Sequence, residues 1–279
     1  MSATQIAQNL AFINWTVLTG LALGSYATVV LLRRRTAATR GYLGFTSVCA
    51  VGFGVLAWLS DGALPASLGS SPVVVDPAWD GPRGVALAAF CVLAAAGLVA
   101  RRIAPRAAPA LDWAGLAAAG ATLLFGALAW GGGSLGTVTL LMQLTVISAA
   151  TGGVFAAMIL GHWYLVTPKL HEAPLILLAR ALLAVVVIQV ILFWAWIATG
   201  AGPAGGAPFA ALVGPWALFV WLRLIVGLVF PLVVSWASVQ TARSRSMESA
   251  TGLLYINVGS IAAGTIVAAG LYFGAGVLV

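Results

Sequence analysis

Charged side chains are scarce in this sequence. They make up 7% of its 279 residues, whereas soluble domains carry about 25%. Hydrophobic residues make up 62% of the chain, and the mean hydropathy is +1.09. So few charges cannot cover a water-exposed surface. The sequence therefore predicts a protein integrated in a lipid bilayer.

Cysteine and histidine are equally rare, with two of each. Cys49 and Cys91 lie in apolar stretches, which argues against a disulfide framework or a thiolate metal site. The sequence has no glycine-rich nucleotide loop after a strand, no nucleophile elbow and no zinc pattern, so it predicts no soluble-enzyme chemistry. The net charge of +7 sits in short loops, and no basic and aromatic face is present, so nucleic acid is not an expected partner.

Long apolar runs are what the sequence does contain. A spanning helix needs about 20 apolar residues, and lipid leaves no water to bond unpaired backbone groups, so such runs must be helices. The sequence predicts an all-α polytopic membrane protein forming a single bundle of about eight helices. The predicted spans are 10–32, 43–60, 84–100, 113–130, 136–165, 174–198, 209–239 and 249–277.

The positive charges predict the orientation of these spans. Ten Lys and Arg residues fall in the loops after spans one, three, five and seven, and one, Arg83, falls on the opposite side. The ten are Arg33, Arg34, Arg35, Arg40, Arg101, Arg102, Arg106, Lys169, Arg243 and Arg245. Cytoplasmic loops are enriched in Lys and Arg, so both termini are expected to be non-cytoplasmic in a cytoplasmic membrane of bacterial type. The first span follows an uncharged segment and is expected to be retained.

The longest connection, residues 60–83, is predicted to face the non-cytoplasmic side. It holds Asp61, Asp76 and Asp80 together with several prolines. Loops of this length often serve as lids or partner-docking surfaces. An ordinary solvated loop is the structural alternative.

Ionisable groups inside the spans are the best sequence guide to function, because they are costly in lipid. No Asp or Glu falls well inside a predicted span, which disfavours the simplest proton- or cation-coupled transporters. Arg180 and Arg223 do fall inside, without an obvious acidic partner. Each needs an acceptor, such as a backbone carbonyl, a lipid phosphate, a haem propionate or a quinone carbonyl. For Arg180, snorkelling to the interface is the structural alternative.

Both histidines fall in one short stretch, residues 161–174, which reads GHWYLVTPKLHEAP. It predicts a hairpin between spans five and six, edging a quinone pocket. His162 or His171 would accept a proton from a quinol, since imidazole titrates near neutral pH. Trp163 or Tyr164 would stack on the ring, and Arg180 would polarise a carbonyl. Thr251, Tyr255 and Asn257, polar positions of span eight, could line the same cavity.

Three alternatives compete with the quinone interpretation of this hairpin. His162 and His171 could ligate haem b, with Arg180 or Arg223 near a propionate. A metal site of His162, His171 and Glu172 would lack a fourth strong ligand. The hairpin could also be a solvated turn with aromatic interface residues.

These features predict an integral membrane subunit of a respiratory or redox complex. Such a subunit would interact with quinone and anchor a peripheral electron-transfer subunit, because the loops hold no soluble domain of their own. The eight-helix plan is similar to the membrane anchors of polysulfide and dimethyl-sulfoxide reductases, an analogy of architecture alone. The alternatives are a transporter of an anionic or small polar substrate and a non-catalytic assembly subunit.

Overall fold

The computed structural model describes residues 3–69, 71–167 and 170–279, and in its first helix the side chains from residue 9 onward. These parts of the chain are helical and contain no strand. The long helices are α1 (Ala3–Arg35), α2 (Arg40–Asp61), α3 (Asp80–Ile103), α4 (Ala108–Trp130), α5 (Ser134–Val166), α6 (Ala173–Thr199), α7 (Ala217–Arg243) and α8 (Met247–Ala275). Lys169, one of the ten orientation charges, lies outside the described residues.

All eight predicted spans are confirmed as helices long and apolar enough to cross a membrane. Several ends differ from the prediction by a few residues, and two of the differences have a clear local cause. The helix α7 begins at Ala217 rather than at residue 209, because Phe209 has a positive φ of 63° and Pro215 disfavours a helical residue before it. The helix α8 ends at Ala275 rather than at residue 277, because Gly276 adopts the left-handed conformation and donates its N–H to the carbonyl of Tyr272.

An even number of crossings places both chain ends on one side of the bundle, which we call the terminal end. The opposite side, the basic end, carries the connections 36–39, 104–107, 167–172 and 244–246. The described arginines near these connections are Arg33, Arg34, Arg35, Arg40, Arg101, Arg102, Arg106, Arg243 and Arg245. Their placement is the basis of the orientation prediction, which assigns the basic end to the cytoplasm.

The helices α1 and α5 form the centre of the bundle. In their most apolar windows, 72% and 67% of residues are buried, against 33–44% in the other six spans. They cross at Gly24 and Gly152, where a Cβ on either glycine would overlap the backbone of the other helix. Ser25 Oγ donates to the Gly152 carbonyl across this crossing, at 3.2 Å. Lipid provides no hydrophobic force between helices, so such close backbone contact is how they associate.

The connection between α2 and α3 is shorter than the sequence predicted. Asp61 is the last residue of α2 and Asp80 the first of α3, and a short 3-10 turn, Pro77–Trp79, precedes α3. Leu68 and Val73 of this loop are buried against the bundle, and the Asp76 N–H donates to the Ala129 carbonyl at 2.8 Å. The loop therefore packs onto the terminal end.

Candidate functional site

The hairpin between α5 and α6 is fixed by aromatic contacts. Tyr164 is buried, and its hydroxyl donates to the backbone carbonyl of His171, which closes the turn. Trp163 is half-buried and packs edge-on against Tyr42 of α2, with ring centroids 6.5 Å apart. Both rings that were predicted to stack on a quinone therefore make contacts within the protein that stabilise the hairpin.

His162 lies on the outward face of α5 and pairs with a residue of α8. Its Nδ1 is 3.3 Å from the hydroxyl of Tyr255, and the two rings meet edge-on at 6.5 Å. Both side chains are exposed, Tyr255 by 48%. His162 is four residues from the last residue of α5, about 6 Å along the axis. The pair therefore faces the surroundings of the bundle close to the basic end.

The other two polar positions predicted to accompany Tyr255 turn inward. Thr251 packs against Gly161 of α5, and Asn257 Nδ2 donates to Ser235 Oγ of α7 at 2.9 Å. Tyr255 alone is on the outward face. The sequence placed Tyr255 near the hairpin only as one of three polar positions of span eight, and did not single it out as the partner of His162.

His171 does not take part in the His162–Tyr255 pair and has a hydrogen-bond partner of its own. Its Nδ1 accepts the N–H of Ala173 at 3.2 Å, which satisfies one of the open donors at the start of α6. The neighbouring Glu172 accepts two hydrogen bonds from Arg245, of which the shorter is 2.6 Å. The backbone N–H of Glu172 and the Arg245 guanidinium hold the pKa of Glu172 below its usual range. The two histidines thus have different partners, which disfavours a shared haem iron.

Arg180 is exposed on the outward face of α6, seven residues from its start. Seven residues correspond to about 10 Å along the helix axis. A long side chain at this depth can extend its charge to the interface. The hydrogen bonds of the His162–Tyr255 pair do not include Arg180.

Arg223 is fully buried in the middle of α7, beside a five-residue π-helical segment, Ile225–Val229. Its Nη2 donates to Gln189 Oε1 at 3.0 Å, and its Nη1 donates to the Gly227 carbonyl at 3.3 Å. The described residues provide it with no carboxylate partner within 4.0 Å.

Pro231 explains the position of Arg223. Proline has no N–H, so the hydrogen bond that residue 231 would donate is missing; its acceptor would be the Gly227 carbonyl in an α-helix or the Val226 carbonyl in a π-helix. Arg223 donates to Gly227, and Ser260 of α8 donates to Val226. The buried arginine therefore supplies a hydrogen bond to a carbonyl of the irregular helix, and this contact does not depend on a bound anion.

Two buried ion-pair clusters were not predicted from the sequence. At the terminal end, Arg83 Nε donates to Asp61 Oδ1 at 2.6 Å, and Trp15 Nε1 donates to the same oxygen at 2.7 Å. Arg83 also bonds Asp80 and lies over the ring of Trp130, 4.8 Å from its centroid. Arg83, which the sequence placed in a loop, is 1% exposed.

At the basic end, Asp112 of α4 is buried and accepts hydrogen bonds from Arg33 of α1 and Arg101 of α3. Arg33 also donates to Ser47 of α2, so the cluster ties four helices together. Asp61 and Asp112 show that carboxylates are buried in this bundle, near the helix ends and next to arginines. The sequence had placed both outside the spans.

An apolar crevice of about 370 Å³ opens at the terminal end, between α1, α7 and α8. Its walls include Asn9, Ile13, Trp216, Phe219, Ile266 and Gly270. This volume is within the range of small-ligand pockets. The crevice is at the opposite end of the bundle from the His162–Tyr255 pair.

No protein-family model and no curated protein matches this chain. The assignment of a function therefore depends on the side chains themselves. Among the site residues that the sequence predicted, the structure gives His162 an outward-facing phenolic partner and gives Trp163, Tyr164 and Arg223 internal contacts. An outward-facing imidazole and phenol near a membrane boundary can exchange protons and donate hydrogen bonds to a lipid-soluble ligand.

Proposed function

We propose that this chain is the integral membrane subunit of a redox complex and that it binds a quinone at the His162–Tyr255 pair. The observation that carries the proposal is the exposure of this pair on two membrane-spanning helices, with Nδ1 and the hydroxyl 3.3 Å apart. Polar side chains on the outside of a spanning helix are costly and mark functional positions. A quinone is a ligand that reaches such a position from within the bilayer.

The chemistry of quinol oxidation fits the two groups. A quinol gives up two protons and two electrons as it becomes a quinone. With its Nδ1–H donated to the Tyr255 hydroxyl oxygen, His162 would accept the protons of the two quinol hydroxyls in turn at Nε2, and the Tyr255 O–H would hydrogen-bond the ligand. His162 can then release the proton to water, because it lies about 6 Å from the end of α5.

The electrons require another chain. The described connections at the basic end are three to six residues long, which is too short for a redox domain. We therefore propose a peripheral subunit at this end that carries a one-electron centre, an iron–sulfur cluster or a haem. The exposed arginines at the basic end, together with the Arg245–Glu172 pair, offer this subunit a charged docking surface.

The anion-transporter alternative depended on two arginines inside the spans, Arg180 and Arg223, and Arg223 is the buried one. Its bonds to Gln189 and to the Gly227 carbonyl give the charge a structural task beside Pro231. That observation favours the redox proposal over transport. In this proposal Arg223 does not bind a cofactor, as the sequence predicted, but donates a hydrogen bond to the irregular part of α7.

The test is quinone binding by the purified chain in lipid nanodiscs, followed by quinol-linked turnover of the native complex. His162→Ala should weaken binding of a short-chain quinone by about tenfold, because one charged or neutral hydrogen bond contributes about 1–1.5 kcal/mol. Turnover should be lost while the membrane abundance of the complex is unchanged. Tyr255→Phe, which keeps the ring, should reduce binding through the hydroxyl alone.

His171→Ala is the matched control, because His171 caps α6 and is not bonded to the pair. It should leave quinone affinity unchanged. Normal turnover and unchanged affinity in His162→Ala would exclude the proposed site. A loss that is equal in His171→Ala and His162→Ala would show that the hairpin as a whole, and not the pair, is required.

A further inference from the structure

The outward face of α8 is continuous from the proposed quinone site to the apolar crevice. Residues 255, 259, 266 and 270 recur at the helical period and share this face. Tyr255 lies at its basic end, and Ile266 and Gly270 form part of the crevice wall at its terminal end. The distance from residue 255 to residue 270 is about 22 Å along the axis.

The middle of this face is shallow because it carries glycine. A Cβ added at Gly259, between Tyr255 and the crevice, would meet nothing within 4 Å, so this position is open to the surroundings. The large side chains before and after it on this face, Tyr255 and Ile266, are themselves exposed. The result is a low track between Tyr255 and Ile266.

The crevice at the end of the track is built from apolar walls. Trp216, just before α7, packs against Phe219 of α7 with ring centroids 6.1 Å apart. Ile13 of α1 closes the opposite side, 3.6 Å from where a Gly270 Cβ would lie. Asn9 contributes the one side-chain amide of the wall. This lining accepts a hydrocarbon chain and offers little to a charged group.

From this arrangement we infer that the ligand is a long-chain isoprenoid quinone, whose tail follows the outward face of α8 from Tyr255 into the crevice. The inference rests on the proposed function, since it assigns the headgroup to His162 and Tyr255. Its independent support is the continuity of one helix face, the polar site at one end with an apolar cavity at the other, and the absence of a side chain at Gly259.

We expect the track to make the site selective among lipid-soluble ligands. Lipid chains are as apolar as the crevice, so transfer of the tail from the bilayer gains little hydrophobic free energy. Packing of the tail against Trp216 and Phe219 favours a chain that fits their surface. A branched isoprenoid tail should therefore be preferred to a straight acyl chain.

The experiment uses two quinone probes and the full chain in nanodiscs. The first probe is a short-chain quinone, which reports the headgroup site alone. The second carries a photoreactive diazirine at the end of a long isoprenoid tail, and cross-linked peptides are mapped by mass spectrometry. The tail probe should label residues 9–13 of α1 and 266–274 of α8.

Variants that fill the track test its path. Gly259→Leu and Ile266→Trp should each lower the labelling of the crevice by about tenfold, because overpacking a filled site costs on the order of 1–3 kcal/mol. Both positions face outward, so neither change disturbs the interior. Gly52→Leu is the control, an open glycine on the outward face of α2. It should leave the labelling unchanged.

The outcomes separate the two claims. Crevice labelling that falls in Gly259→Leu and Ile266→Trp, with short-chain binding intact, supports the tail assignment. Short-chain binding at His162 together with tail labelling elsewhere overturns the tail assignment and keeps the proposed function. If the short-chain quinone does not bind and a diazirine phospholipid labels the crevice, both claims are wrong and the crevice holds a lipid acyl chain.

Discussion

Two of the arginines buried in this bundle are stabilised by acceptors that come from other helices. Arg83 of α3 bonds Asp61 of α2, and Arg223 of α7 bonds Gln189 of α6. The sequence identified Arg223 as unusual because it interrupts an apolar run. It could not identify the Asp61–Arg83 pair, because the two residues are at opposite ends of a loop and only packing brings them together.

The Asp61–Arg83 pair allows a prediction at the residue scale. Asp61→Asn keeps the shape of the side chain and leaves Arg83 with less compensation for its charge. We expect a loss of about 3 kcal/mol in the free energy of unfolding, at the lower end for a broken buried pair because Asp80 still contacts Arg83. Reversible unfolding in detergent, followed by circular dichroism, measures this loss.

Asp80→Asn is the matched control for that measurement. Its side chain also bonds Arg83 but is 45% exposed, so its replacement should cost less than about 1 kcal/mol. Equal losses from the two substitutions would mean that burial does not set the strength of these contacts.

At the scale of the element, α7 is the irregular helix of the bundle. Its π-helical segment ends at Val229, two residues before Pro231, and its freed carbonyls are bonded by Arg223 and Ser260. Hydropathy predicted that this span exists but not its start, which depends on Phe209 and Pro215.

The role assigned to Pro231 can be measured by a double-mutant cycle. Ser260→Ala should cost about 1 kcal/mol in the native chain, because it leaves the Val226 carbonyl without a donor. In a Pro231→Ala background the restored backbone N–H can bond that carbonyl or its neighbour, so the same change should cost less. We expect a coupling of about 0.5–1 kcal/mol from the four unfolding free energies.

Ser238→Ala provides the control for this cycle. Ser238 is also buried on α7, but its hydroxyl bonds the Val234 carbonyl within a regular helical turn. Its replacement should cost the same with proline or alanine at position 231. A coupling that is absent for Ser260, or equally large for Ser238, would contradict the assignment.

At the scale of the whole molecule, the number of spans was predictable and their arrangement was not. Each span must satisfy its own backbone in lipid, so it appears in the sequence as an independent apolar run. Which helices are central depends on contacts such as Gly24 with Gly152, between residues 128 positions apart, and no single run encodes them. The same limit applies to the candidate site. His162 could be singled out by its rarity, whereas Tyr255 is 93 residues away and was identified as its partner by the fold.

The orientation of the whole molecule is the property on which the proposed function depends most. If the basic end is cytoplasmic, then the His162–Tyr255 pair is near the cytoplasmic face, and a peripheral partner must dock there. Single cysteines in a Cys49→Ala, Cys91→Ala background report the orientation. Ala204→Cys at the terminal end and Ser244→Cys at the basic end are both exposed positions.

A membrane-impermeant maleimide should label Ala204→Cys in intact cells and Ser244→Cys only after permeabilisation, because arginine-rich loops are retained in the cytoplasm. The reverse pattern would place the basic end outside the cell, and protons from a quinol at His162 would then be released to the exterior. The same labelling therefore decides on which face the proposed electron-accepting subunit must be sought.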